Sequence, residues 1–258
     1  AVVQNDIYGG TRSFIESHFK NYGINYSFTK DLTVESFENC IQENTKLIYL
    51  ETPSNPLLKL VDLFAVAKLA KSQNIITASD NTFASPIVQN PIDLGIDIVM
   101  HSATKYFGGH SDITAGAVAS SELIMGKIWD LSKDFGGNLS DYTVWLLERS
   151  MKTLGIRVKA QQKNARKLAS FLDKHNAIQS VFYPGLKSNE YHSLAKIQMK
   201  GFGAMMSFEL ANGYDAEMFL RALKLIKPSM SLAGVESTML LPYKTSHSLL
   251  TESDRLSQ

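Results

Sequence analysis

Residues 46–80 read KLIYLETPSNPLLKLVDLFAVAKLAKSQNIITASD, and two apolar periods alternate within them. Lys46 to Leu50 is a short continuous apolar run, the pattern of a buried strand, and it ends in a proline-rich loop from Thr52 to Pro56. Leu63, Val66, Ala67 and Ala70 then recur at i, i+3, i+4 and i+7, one face of a helix. Asn74 to Ser79 is a second strand. Working outward, Ile96 to Met100 is a third strand and Ala115 to Ala119 a fourth, whose small side chains would let something flat pass close. Strands alternating with helices predict an α/β domain around a mostly parallel sheet, with ligands at the carboxyl ends of the strands.

After Asp134 the texture changes. Val144, Leu147, Met151 and Leu154 keep a helical period, as do Ala165, Leu168, Ala169 and Leu172. A strand and turn follow at Val181 to Gly185, then a strand at Ala204 to Leu210 and a helix marked by Ala216, Phe219, Leu220 and Leu223. The expected organisation is a large domain over residues 1–154 and a smaller α+β domain over 155–258. Ala1 starts inside an extended apolar stretch, and Asp254 to Gln258 stop without a closing strand or helix, so both ends are expected to be truncated.

The 258 residues, 44% hydrophobic and 20% charged, suffice for a substantial core. Lys and Arg number 26 against 25 Asp and Glu, a formal charge of +1, which offers no basic field for nucleic acid and no acidic tail. The single cysteine, Cys40, leaves no internal disulfide and no multi-cysteine zinc site. No apolar run has the length of a membrane span and no charged-then-apolar leader opens the chain, so the expectation is a cytoplasmic protein without a membrane partner.

Three polar loops follow three strand ends: Thr52 to Pro56, Asp80 to Pro86 and His101 to His110. In the third, Ser102-Ala103-Thr104-Lys105 sets two hydroxyls beside a lysine, which suits an anion held next to an amine nucleophile. Each residue alone also has a plain explanation. Lys105 reads as a surface lysine, Asp80 as a turn aspartate capping backbone amides, Tyr8 as a core aromatic and Asn55 as a turn residue. Together, a lysine for a Schiff base, hydroxyls for a phosphate and an acid for a ring nitrogen are what pyridoxal phosphate requires. His101 and His110, nine apart without carboxylates, are not a metal signature. Gly201-Phe202-Gly203 precedes a strand, where a dinucleotide fingerprint follows one.

The ordered motifs Tyr8-Gly9-Gly10-Thr11, Glu51 to Pro56 (ETPSNP), Asp80 to Pro86 (DNTFASP), His101 to Asp112 (HSATKYFGGHSD), Lys152 to Arg157 and Ser231 to Ser237 resemble the trans-sulfuration enzymes. This is the pyridoxal-phosphate family of cystathionine γ-synthase, cystathionine β- and γ-lyase and methionine γ-lyase. The resemblance implies the aminotransferase-like fold type I and pyridoxal 5'-phosphate on Lys105, which also shuttles protons. It implies Asp80 against the ring nitrogen, Ser102 and Thr104 on the phosphate, Tyr8 stacked on the ring, Asn55 on its 3-oxygen and Thr82 positioning it. Ser231 would lie near the substrate carboxylate, with Met230 beside it. The partners implied are a small amino-acid substrate and the chain itself, in a homotetramer of close dimers that share sites. Family segments bearing a Ser-Gly phosphate loop and a tyrosine and arginine that reach a neighbouring subunit would precede Ala1. The arginine for the substrate carboxylate would follow Gln258.

Three positions bear on the reaction. Family γ-enzymes commonly carry a glutamate where this chain has Met230, and Ala233 stands at a glycine position. Methionine γ-lyases usually carry a cysteine at the position of Gly10. The expectation is therefore a cystathionine lyase, β-type first, with γ-lyase and γ-synthase behind it. A non-catalytic homologue or binding subunit is the reading from another class, and the retained Lys105, Asp80, Ser102 and Thr104 argue against it.

Overall fold

The alternating strand and helix periods close into one sheet in the computed structural model, which describes residues 1–245. Asp254 to Gln258, and with them the expected truncation there, lie outside the described residues. In chain order the first elements are β1 (Val2–Val3), α1 (Gly9–His18), β2 (Ser27–Phe28), α2 (Val34–Glu38), β3 (Leu47–Glu51) and α3 (Leu63–Ser72). Then come β4 (Ile76–Asp80), α4 (Ser85–Val88), β5 (Ile98–Ser102), β6 (Gly116–Ser120), α5 (Glu122–Phe135), α6 (Asp141–Met151) and α7 (Leu154–Leu172). The last are β7 (Ile178–Phe182), α8 (His192–Gln198), β8 (Ser207–Leu210), α9 (Ala216–Ala222), β9 (Lys227–Pro228) and β10 (Thr238–Met239).

The six-stranded sheet has the order β2-β1-β3-β4-β5-β6, parallel throughout except for β6, which runs antiparallel to β5. Register explains why Lys46 to Leu50 shows no alternation: both faces are covered. On one face Val2, Ile48, Leu50 and Val99 meet Phe37 of α2 and Leu63, Val66, Ala67 and Ala70 of α3. On the other, Val3, Tyr49 and Ala78 meet Ile15 of α1. Helix α3 starts cleanly because Asp62 accepts a hydrogen bond from Ala65 N at 2.9 Å, a cap that contributes about 1 kcal/mol.

Beyond the sheet, β7 and β8 form an antiparallel pair and β9 and β10 a parallel one. Helix α7 ties the halves together. Leu154 and Val158 pack with Leu60, Val88 and Tyr106, while Ala165 and Ala169 pack with Tyr183 and Leu186. Gln198 adds a polar tie, donating to Val61 O and to Gln89 Oε1 and accepting from Leu63 N. Two details differ from the sequence periods. Leu154 opens α7 rather than continuing the face of Leu147 and Met151, because the chain turns after Met151. Leu168, placed with Ala165 and Ala169 by spacing, stays exposed. Among the described residues no helix is long and apolar enough to cross a membrane.

Candidate active site

Strands β4 and β5 carry their pairing one or two residues past the apolar runs, so Asp80 and Ser102 are the final residues of strands rather than the first of loops. Their ends are joined by Thr82. Asp80 Oδ1 accepts from Thr82 N at 2.8 Å, and Thr82 Oγ1 accepts from Ser102 N at 2.8 Å. From Ser102 the chain turns at once: Lys105 N donates to Ser102 O at 3.0 Å, and Gly109 N to Lys105 O at 2.7 Å. Gly109 has φ +68°, which favours glycine, and a β-carbon there would displace the Arg157 guanidinium. Arg157 clasps this loop by donating to Tyr106 O at 2.8 Å, Phe107 O at 3.3 Å and Ser150 O at 3.0 Å.

Burial acts oppositely on the two central charges. It raises the Asp80 carboxyl above its ordinary range, although Thr82 pulls it down. It lowers the Lys105 ammonium, favouring the neutral amine. Burial also holds His101 at about 4, so this imidazole is neutral at pH 7, where it stacks on Phe107 with centroids 4.8 Å apart. No group of three or more His, Cys, Asp or Glu among the described residues is placed to hold a metal ion.

Tyr8, 47% exposed, caps α1 and lines a cavity of about 360 Å³ together with Gly10, Thr11, Tyr49, Asp80 and Met100. That volume is in the range of small-molecule sites. Lys105, Ser102 and Thr104 stand at the neighbouring strand end and not among the residues lining this cavity. Thr104 Oγ1 is already engaged, accepting from Ala115 N at 2.9 Å and donating to Ala115 O at 3.3 Å. Asn55 lies in the loop after β3, and its backbone N–H donates to Glu51. Ser231 is half-buried, its carbonyl accepting from Thr238 Oγ1 at 3.1 Å, and Met230 is 69% exposed. Their segment docks onto the lysine loop: Ala233 packs with Tyr106 and Phe107, Ser111 Oγ donates to Glu236, and Gln161 donates to Gly234 O. Sequence reasoning singled out neither Glu51 nor Arg157 individually, although both stood inside quoted motifs.

The donor set fits pyridoxal 5'-phosphate. A half-buried carboxyl destabilised by desolvation would be matched by the cation of a protonated ring nitrogen, and a desolvated amine stands one strand away. A parallel sheet with these groups at its strand ends defines a pyridoxal-phosphate enzyme of fold type I. The Cys/Met metabolism PLP-dependent enzyme family matches residues 1–258, and the chain belongs to it. It is 42% identical over 256 residues to cystathionine gamma-lyase of Bacillus subtilis (strain 168), covering 99% of this chain and 68% of that protein. It is 41% identical over 247 residues to cystathionine beta-lyase of Lactococcus lactis subsp. cremoris (strain MG1363), covering 95% and 65%. The crystal structure of cystathionine gamma-lyase from Lactobacillus plantarum complexed with L-serine superposes with a TM-score of 0.96 at 42% identity, covering 99% of this chain and 67% of that one. The chain thus spans about two thirds of the length of these relatives.

Proposed function

We propose that this chain carries the catalytic core of a pyridoxal-phosphate carbon–sulfur lyase acting on cystathionine or related sulfur amino acids, with β-elimination favoured. The observation that carries the reading is the Asp80–Thr82–Ser102 link, which ties a half-buried carboxyl to the start of the Lys105 loop. Bound there, pyridoxal 5'-phosphate supplies an electron sink for a carbanion at the amino acid's α-carbon. Lys105 would hold the cofactor and take the substrate's α-proton, tasks that its lowered pKa favours. Asp80 keeps the ring nitrogen protonated. Ser102 donates to the phosphate together with Thr104, whose hydroxyl must share its bond to Ala115 O. Tyr8 covers the ring, Asn55 meets the 3-oxygen, and Thr82 steadies Asp80. Ser231 takes the substrate carboxylate.

A leaving group on the β-carbon departs directly; one on the γ-carbon needs a second deprotonation, at the β-carbon, and Lys105 serves either route. Met230 supports the β-reading, because family γ-enzymes commonly carry a glutamate at its position. The relatives support the γ-lyase reading equally, at 42% identity to the Bacillus γ-lyase and 42% to a Lactococcus lactis subsp. cremoris β-lyase. A cytoplasmic homotetramer of close dimers belongs to the same proposal. Products formed from L-cystathionine decide the reaction. Homocysteine, pyruvate and ammonia are expected. Cysteine with 2-oxobutyrate moves the assignment to γ-lyase, and neither pair of products overturns both.

A further inference from the structure

Glu51 sits beside Asp80 in the same row of the sheet. The two are register partners on parallel strands β3 and β4, so their side chains leave the same face about one strand spacing apart, ~4.8 Å. Glu51 is buried. Its backbone is gripped from both sides by one amide: Gln4 Nε2 donates to Glu51 O at 2.9 Å, and Gln4 Oε1 accepts from Glu51 N at 3.0 Å. Its carboxyl accepts from Tyr8 N at 2.9 Å and from the N–H of Asn55. Two residues assigned to the ring therefore hang from one carboxyl, and its neighbour on the sheet is a third.

We propose that Glu51 is a positioning residue for the cofactor site, a buried acid that fixes the backbones of Tyr8 and Asn55 against Asp80. The inference rests on the cofactor reading above. Glu51 acts as the neutral acid. Two carboxylates side by side repel, and of the pair Asp80, which lines the cavity, would keep the charge opposite the cation of the ring nitrogen, while Glu51 is buried. Desolvation, then the charge of Asp80, raise Glu51 well above the carboxylate range; Asp6 adds to this, and the two amide donors only partly oppose it. A neutral acid still offers its carbonyl oxygen to those amides.

The test uses cofactor-loaded protein with three variants, reading cofactor affinity, circular dichroism in the cofactor's visible band and kcat/KM. Glu51→Gln has the shape of the neutral acid and should stay within about three-fold of wild type, with unchanged dichroism. Glu51→Ala leaves two amides unpaired and should weaken cofactor binding about ten-fold while diminishing the visible dichroism. Glu51→Asp keeps an acid but withdraws it by one methylene and should resemble alanine, which preserves the test if the alanine variant fails to fold. Alanine or aspartate variants with wild-type affinity and dichroism overturn the positioning role. A glutamine variant as impaired as alanine overturns the neutral form. Wild-type protein that does not load on Lys105 overturns the cofactor reading itself, an outcome separate from these.

Discussion

At Asp80 and Lys105 the fold spends stability on function, and linkage gives the sign. The Asp80 carboxyl has its pKa raised in the folded chain, so the folded state binds a proton more tightly than the unfolded one. Stability therefore falls as pH rises from the ordinary carboxylate value of about 4 towards and through the folded value. Asp80→Asn should accordingly stabilise the cofactor-free chain at pH 7, with a gain that shrinks towards about pH 4, while weakening cofactor binding. Urea unfolding at the two pH values checks this, and a net loss of stability at pH 7 would contradict it. Lys105→Ala should reduce turnover by about 10²–10⁴-fold or more without lowering the stability of the cofactor-free chain, since a half-buried ammonium is removed. Both residues stood out in the sequence because each follows an apolar run, Asp80 at once and Lys105 five positions after Met100, within motifs that resemble the family's. Glu51 was not. Its importance comes from hydrogen bonds to Gln4 and Tyr8, more than 40 positions away, and no spacing within ETPSNP records them.

The Lys105 loop owes its shape to α7 as much as to its own residues. Arg157→Ala removes hydrogen bonds to three carbonyls and should cost about 1–3 kcal/mol and speed cofactor loss, measurable by thermal unfolding and by dialysis. Ala233 poses the opposite case: it adopts φ +64°, in a segment packed on the same loop, where a β-carbon costs about 1–2 kcal/mol. Ala233→Gly should therefore leave stability unchanged or raise it, since the relief of strain exceeds the added flexibility of the unfolded chain. A clear fall in melting temperature would show that the methyl packs better than it strains. Helix α3 could be read from its period because it buries one face, Leu63, Val66, Ala67 and Ala70, and β3 and β4 from short apolar runs covered on both sides. β1 and β2 are two residues each, too short to show a period, and α5 has no buried residue among those described, so no core-facing stripe marked it.

At the scale of the whole molecule, the proposed reaction choice would rest on the segment from Met230 to Glu236, which follows β9 and packs near the lysine loop through Ala233 and Glu236. Met230→Glu should shift the product ratio from pyruvate towards 2-oxobutyrate; an unchanged ratio would remove Met230 from the specificity argument. The α/β class and the mostly parallel sheet followed from local periods, whereas the polar tie of Gln198 depends on hydrogen bonds across more than a hundred residues. The account as a whole stands on where the cofactor attaches. Borohydride reduction of the pyridoxal-phosphate-loaded protein, followed by proteolysis and mass spectrometry, should place the reduced pyridoxyl group on the peptide carrying Lys105 and leave the Lys105→Ala variant unlabelled. Label on a different lysine, or equal label in the variant, would contradict the account.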